Sequence, residues 1–159
     1  MKDLDLTIHY QFATMDELPQ EEQELITAAI QATRNSYANY SHFHVGAALR
    51  LADGSIMIGA NQENAAFPSS LCAERSAIFA AQSQKPEQAI LTLAIAARND
   101  QGMLRQPVTP CGGCRQVIME MEDRYRRPVS ILIYGTEGIY RFQSVKDLLP
   151  FSFVDANMK

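Results

Sequence analysis

Leu6, Ile8, Tyr10 and Phe12 alternate with Thr7, His9 and Gln11. That period of two predicts a strand, placed at a sheet edge or in an arm. The pattern then changes. From Glu21 to Tyr37 the spacing predicts a helix, with Leu25, Ile26, Ala29, Ile30 and Thr33 as its apolar stripe. Val45 to Leu51 and Ser55 to Ala60 read as two strands of a hairpin around Asp53-Gly54, a strong turn dipeptide. Cys72 to Gln84 reads as a helix that ends before Pro86. Ala89 to Ala97 is apolar apart from Thr92, as expected of a central strand buried on both faces. A helix from Cys111 to Tyr125 follows, with Val117, Ile118 and Met121 turned inward, and then a buried strand from Val129 to Tyr134. Gly138 to Phe142 predicts a further strand. Ser144 is placed to cap a short helix through Leu149, stopped by Pro150.

Helix, hairpin, then helix and strand in alternation predicts an α/β fold of three layers, a mixed β-sheet sandwiched by helices. No repeat, low-complexity tract or Gly/Ser/Pro-rich linker interrupts the chain. Residues 1–159 are therefore expected to form a single domain, with 1–18 as an N-terminal extension that serves as an edge strand or an arm.

Composition narrows the class. In 159 residues, 47% hydrophobic and 20% charged is a globular balance, long enough for a real core without disulfides. The formal charge of −4, with no Lys/Arg block, argues against nucleic acid or an anionic membrane as partner. No apolar run is long enough to span a bilayer. Met1-Lys2-Asp3-Leu4-Asp5 carries acids where a signal peptide would be apolar. An odd cysteine count argues against a disulfide framework. The expected location is the cytoplasm, where thiols stay reduced.

All three cysteines fall in two clusters, Cys72-Ala73-Glu74 and Pro110-Cys111-Gly112-Gly113-Cys114. Both sit at predicted helix starts, where partial positive charge and free N–H groups favour thiolate. Cys111 and Cys114 share one face of a first turn. Cys72 from the other helix completes a tripod for zinc with one position left open, the mark of a catalytic rather than a structural site. Glu74 is then a general acid/base, not a fourth ligand. A Cys-x-x-Cys pair alone also fits a redox pair, half of a structural zinc site or buried cysteine. Three thiolates overcompensate a divalent cation. Arg75 and Arg115 each follow a cysteine, and either can drain charge from a sulfur by hydrogen bonding; Arg75, in the first turn with Cys72 and Glu74, is the favoured one.

These segments resemble the cytidine deaminase family, in its small-subunit, three-cysteine, homotetrameric branch. The matching stretches are Ser36 to Ala48, Asn61-Gln62-Glu63-Asn64-Ala65, Leu71 to Arg75, Pro110 to Val117 and Leu148 to Phe153. The similarity spans about Leu25 to Phe153. It implies a cytidine-deaminase-like fold and zinc-dependent hydrolytic deamination of cytidine and deoxycytidine in pyrimidine salvage. It also implies one zinc per subunit, held by Cys72, Cys111 and Cys114, with Glu74 as proton shuttle. Asn61 and Glu63 would bind the sugar 3′-hydroxyl. Phe43 would line the pyrimidine pocket, and Ala73 would offer backbone groups to the base. Phe153 would come from a neighbouring subunit, so that each site of a homotetramer is completed by another chain. The partner is then a small nucleoside, with neither nucleic acid nor membrane.

Some positions depart from the family pattern. Phe67 stands where Tyr is frequent, Gln62 where an apolar residue is usual, and Ala60 where a non-ligand cysteine is common. His42 and His44 replace commoner residues, and neither has metal-ligand spacing. A deaminase of another aminopyrimidine nucleoside, such as blasticidin S, shares the zinc segments. The Asn61-x-Glu63 pair and the Leu149-Pro150 tail favour cytidine. A polynucleotide deaminase usually has His as first ligand. A zinc-stabilised scaffold has no use for Glu74.

Overall fold

A computed structural model describes residues 1–159. Seven strands form one sheet in the order β1-β7-β6-β4-β2-β3, with β5 pairing only the end of β4. The strands are β1 (Gln11–Ala13), β2 (His44–Leu51), β3 (Ile56–Ala60), β4 (Ile90–Asn99), β5 (Gly102–Met103), β6 (Ser130–Gly135) and β7 (Gly138–Phe142). Three α-helices cover it: α1 (Gln20–Ala32), α2 (Ala73–Gln84) and α3 (Gly112–Tyr125).

Alternation along the central strands separates two cores. Ala47, Leu49 and Leu51 of β2, Leu93 and Ile95 of β4, and Ile131 and Ile133 of β6 face α2 and α3. Ala48, Ala94, Ala96 and Leu132 point the other way, toward Leu25, Ile26 and Ala29 of α1. Every one of these side chains is at most 2% exposed, so β4 is buried on both faces, as its almost wholly apolar run predicts. The result is the three-layer mixed sheet expected from the sequence.

The topology brings two helix starts together. β2 is antiparallel to both β3 and β4, so β3 and β4 run in the same direction with β2 between them. β4 and β6 are parallel neighbours. Parallel strands need crossover connections, and α2 and α3 are those crossovers. Both leave the same end of the sheet, so their N-termini meet there. Gly59 of β3 lets α2 lie directly on the sheet: a β-carbon there would stand 2.4 Å from the Ala77 nitrogen and 2.6 Å from the Ala73 oxygen. At the far end of α3, the buried Glu122 accepts from the N–H groups of Val129 and Val145 and from the Ser144 hydroxyl, tying the helix to β6 and to the turn after β7.

The hairpin turns at Gly54, whose φ of +82° is one that glycine adopts without strain. Three elements differ from the predicted ones. The helix from Gln20 ends at Ala32, and a 3₁₀ turn from Thr33 to Asn35 follows. Tyr37, expected in that helix, instead bridges to Gln62, because its N–H and C=O are used by Asn61 and Glu63. Of the alternating segment Leu6 to Phe12, only its end forms a strand, Gln11–Ala13, paired to β7 at the sheet edge. The predicted helix after Ser144 is a 3₁₀ turn, Val145–Asp147, with Ser144 accepting from the Lys146 N–H. No helix is long and apolar enough to cross a membrane.

Candidate active site

Cys72 is the N-cap of α2 and Cys111 the N-cap of α3. Each has extended backbone angles that turn the chain into its helix. The Cys72 sulfur lies 3.9 Å from that of Cys111, which lies 3.6 Å from the sulfur of Cys114. All three are within 4.8 Å of one another. Three donors on a tetrahedral zinc, at about 2.3 Å from the ion, stand about 3.8 Å apart. The two distances from the Cys111 sulfur match that spacing, so the tripod suits a zinc ion. No other group of three or more cysteine, histidine or carboxylate ligand atoms converges in the structure.

The sulfurs are not chemically equal. The neighbouring Cys114 thiol, together with Arg75, lowers the Cys72 thiol to about 5 against the opposing effect of burial. Cys114 is raised by that same contact and by burial. Three thiolates packed this closely would repel one another, and a divalent cation would offset that charge. Arg75 donates to the Cys72 sulfur through Nη2 at 3.4 Å. Its buried Nε has no hydrogen-bond partner. Arg115 touches no sulfur: it donates to the Pro110 and Leu148 carbonyls and to Thr109, bracing the loop that delivers Cys111.

Glu74 is 5% exposed. Burial raises its pKa, a hydrogen bond from its own backbone N–H opposes that, and the charge on Cys72 raises it again. A carboxyl pushed up in this way exchanges protons closer to neutrality.

These groups meet at a cavity of about 330 Å³. Cys72, Ala73, Glu74 and Cys111 line one side, and Phe43, Asn61 and Glu63 the other. Ile95 and Ala97 from β4, with Val45 and Val108, supply apolar surface. A larger cleft of 440 Å³, beside Arg126, Arg127 and Lys146, holds none of the cysteines. Phe153, 59% exposed, lies outside the cavity of its own chain.

Asn61 and Glu63 are held rigidly. The Asn61 Oδ1 accepts from the Ser36 hydroxyl at 2.6 Å and the Val45 N–H at 2.8 Å, and its Nδ2 donates to the Phe43 carbonyl at 2.9 Å. His44 Nδ1 lies 3.2 Å from the Ser36 oxygen. Both lone pairs of the amide oxygen are used, so Asn61 has one N–H left to offer a ligand. The Glu63 Oε2 accepts from the N–H groups of Tyr40 at 2.8 Å and Ser41 at 3.2 Å, while Oε1 accepts from the Ser41 hydroxyl. The Ser41 hydroxyl and the Tyr40 N–H are the main causes that hold this carboxyl below its ordinary 4.5.

Sequence reasoning passed over Ser36 and Ser41. Both lie inside the segment around Phe43, but serine has many uses in a loop, and nothing in spacing alone ties either to Asn61 or Glu63.

Comparison with known proteins agrees with this geometry. The family described as "Cytidine and deoxycytidylate deaminase zinc-binding region" matches residues 19–128. The chain is similar to the cytidine deaminase of Halalkalibacterium halodurans, at 39% identity over 140 residues, covering 87% of this chain and 98% of that protein. It is 37% identical over 131 residues to that of Sporosarcina psychrophila, covering 82% and 90%. Its fold superposes on the crystal structure of the cytidine deaminase from Burkholderia pseudomallei with a TM-score of 0.71 at 36% identity, covering 82% of this chain and 97% of that one.

Proposed function

The chain belongs to the cytidine and deoxycytidylate deaminase family, and on that footing we propose which of its residues carry the reaction. The activity is zinc-dependent hydrolysis of cytidine and deoxycytidine to uridine and deoxyuridine with loss of ammonia. Cys72, Cys111 and Cys114 hold the ion. When bound, zinc supplies the Lewis acidity that lets water act as a nucleophile near neutral pH.

Glu74 moves the protons. It takes one from the attacking water and delivers it to the ring nitrogen beside the amino-bearing carbon, which makes that carbon electrophilic. As the new carbon–oxygen bond settles to a carbonyl, Glu74 passes the hydroxyl proton to the amine, and ammonia leaves. Its burial keeps these transfers away from bulk water. The N–H of Ala73, in the first turn of α2, has no partner within the helix and is the donor for the carbonyl of the base. Phe43 and Ile95 pack on the ring.

Asn61 offers only a donor and Glu63 only an acceptor. A hydroxyl satisfies both at once, so this pair holds a sugar hydroxyl. Phe153 reaches a substrate only in the cavity of another chain, which is the basis for a homotetramer with shared sites. The whole chain acts as one deaminase domain. Its location is cytoplasmic, where the three thiols stay reduced.

The observation that carries this reading is the tripod of sulfurs beside buried Glu74 at one wall of a nucleoside-sized cavity. Incubating zinc-loaded protein with cytidine, deoxycytidine, cytosine and blasticidin S, while following ammonia and ultraviolet absorbance, tests it. Turnover of the first two is expected. Turnover of none, or of blasticidin S alone, would refute it.

A further inference from the structure

We propose that Ser41 is a positioning residue for sugar recognition, aiming the Glu63 oxygen that accepts the substrate's 3′-hydroxyl. The proposal rests on the assignment of Asn61 and Glu63 to the sugar.

The two oxygens of Glu63 are used differently. Oε2 receives the Tyr40 and Ser41 N–H groups and is filled by the backbone. Oε1 receives only the Ser41 hydroxyl and keeps a lone pair for a ligand. The direction of the Ser41 hydroxyl is not free, because its oxygen already accepts from the Phe43 N–H at 3.1 Å. Its hydrogen is thereby left for Glu63. Two of the loop's own N–H groups pin the carboxylate whether or not Ser41 has a side chain, whereas rotation of the carboxylate plane, which sets the direction of Oε1, is opposed by that side chain. Ser41 itself lines the cavity with Glu63 and Asn61. A hydrogen bond to an ionised group is stronger than a neutral one, so the restraint is a firm one.

The test compares wild type, Ser41→Ala and Ser41→Thr, all zinc-loaded, on cytidine and on 3′-deoxycytidine. Wild type is expected to prefer cytidine. Ser41→Ala should lose about tenfold in kcat/KM on cytidine, mainly through KM, and much less on 3′-deoxycytidine. Ser41→Thr, which keeps the hydroxyl, should recover most of the loss. An equal loss on both substrates, or no recovery with Thr, overturns the role of Ser41 while leaving the sugar site standing. If wild type does not distinguish the two substrates, the assignment of Asn61 and Glu63 fails, and the proposal fails with it.

Discussion

Gly59 and Ala77 touch backbone to backbone: a β-carbon on Gly59 would stand 2.4 Å from the Ala77 nitrogen. Because of that contact, α2 rests on β3 with nothing between them, and its first turn carries Cys72 and Glu74 to their places. The neighbouring atoms are helix backbone and cannot swing aside.

Gly59→Ala must therefore lift α2. Overpacking of this kind costs about 1–3 kcal/mol or more. The expected outcome is a lower melting temperature together with weaker zinc retention during dialysis against a chelator. A melting temperature equal to wild type would mean that α2 has room this contact denies.

Cys111→Ser replaces a thiolate with a poor zinc donor. Metal binding and folding are linked, so the variant is expected to bind less zinc and to melt at a lower temperature. Elemental analysis and calorimetry check this. Unchanged values in both would remove Cys111 from the ligand set.

Glu74→Gln keeps the shape and removes the proton carrier. Turnover is expected to fall by several orders of magnitude, beyond the roughly 10²–10⁴ of a single acid/base step, because one residue serves several transfers. Zinc content should be unchanged. Single-turnover kinetics and metal analysis on the same sample decide it, and activity within tenfold of wild type would rule the role out.

Glu63 makes stability depend on pH in a defined direction. Its folded pKa lies below the ordinary 4.5, held there first by the Ser41 hydroxyl and then by the Tyr40 N–H. A carboxylate of this kind contributes stability that is present above 4.5 and is lost as pH falls through the lowered value. The urea midpoints of wild type and Glu63→Gln are expected to differ most at neutral pH and to converge in acid. A gap that widens as pH falls would contradict the bonding pattern around Glu63.

Much of this was legible from residue order because it depends on local signals. The Asp53-Gly54 turn dipeptide marked the hairpin of β2 and β3, and a run apolar but for Thr92 marked β4 as central. The spacing of Cys72, Glu74, Cys111 and Cys114 pointed to the proposed chemistry, since a structural zinc site has no use for the carboxyl. What was not legible depends on contacts far apart in the chain. Tyr37 leaves the helical pattern because Asn61 and Glu63 take its backbone groups. Most of the alternating N-terminal segment has no partner strand, and only Gln11–Ala13 reaches β7. Ser41 gains its role from a carboxylate 22 residues away, which no periodicity records.

The arrangement of ligands around the metal bears most directly on everything above. X-ray absorption at the zinc edge of fully loaded, reduced protein is expected to give one zinc per chain with three sulfur neighbours and a single exchangeable oxygen. Absence of stoichiometric zinc, or a fourth donor from the protein itself, would contradict the proposed open site.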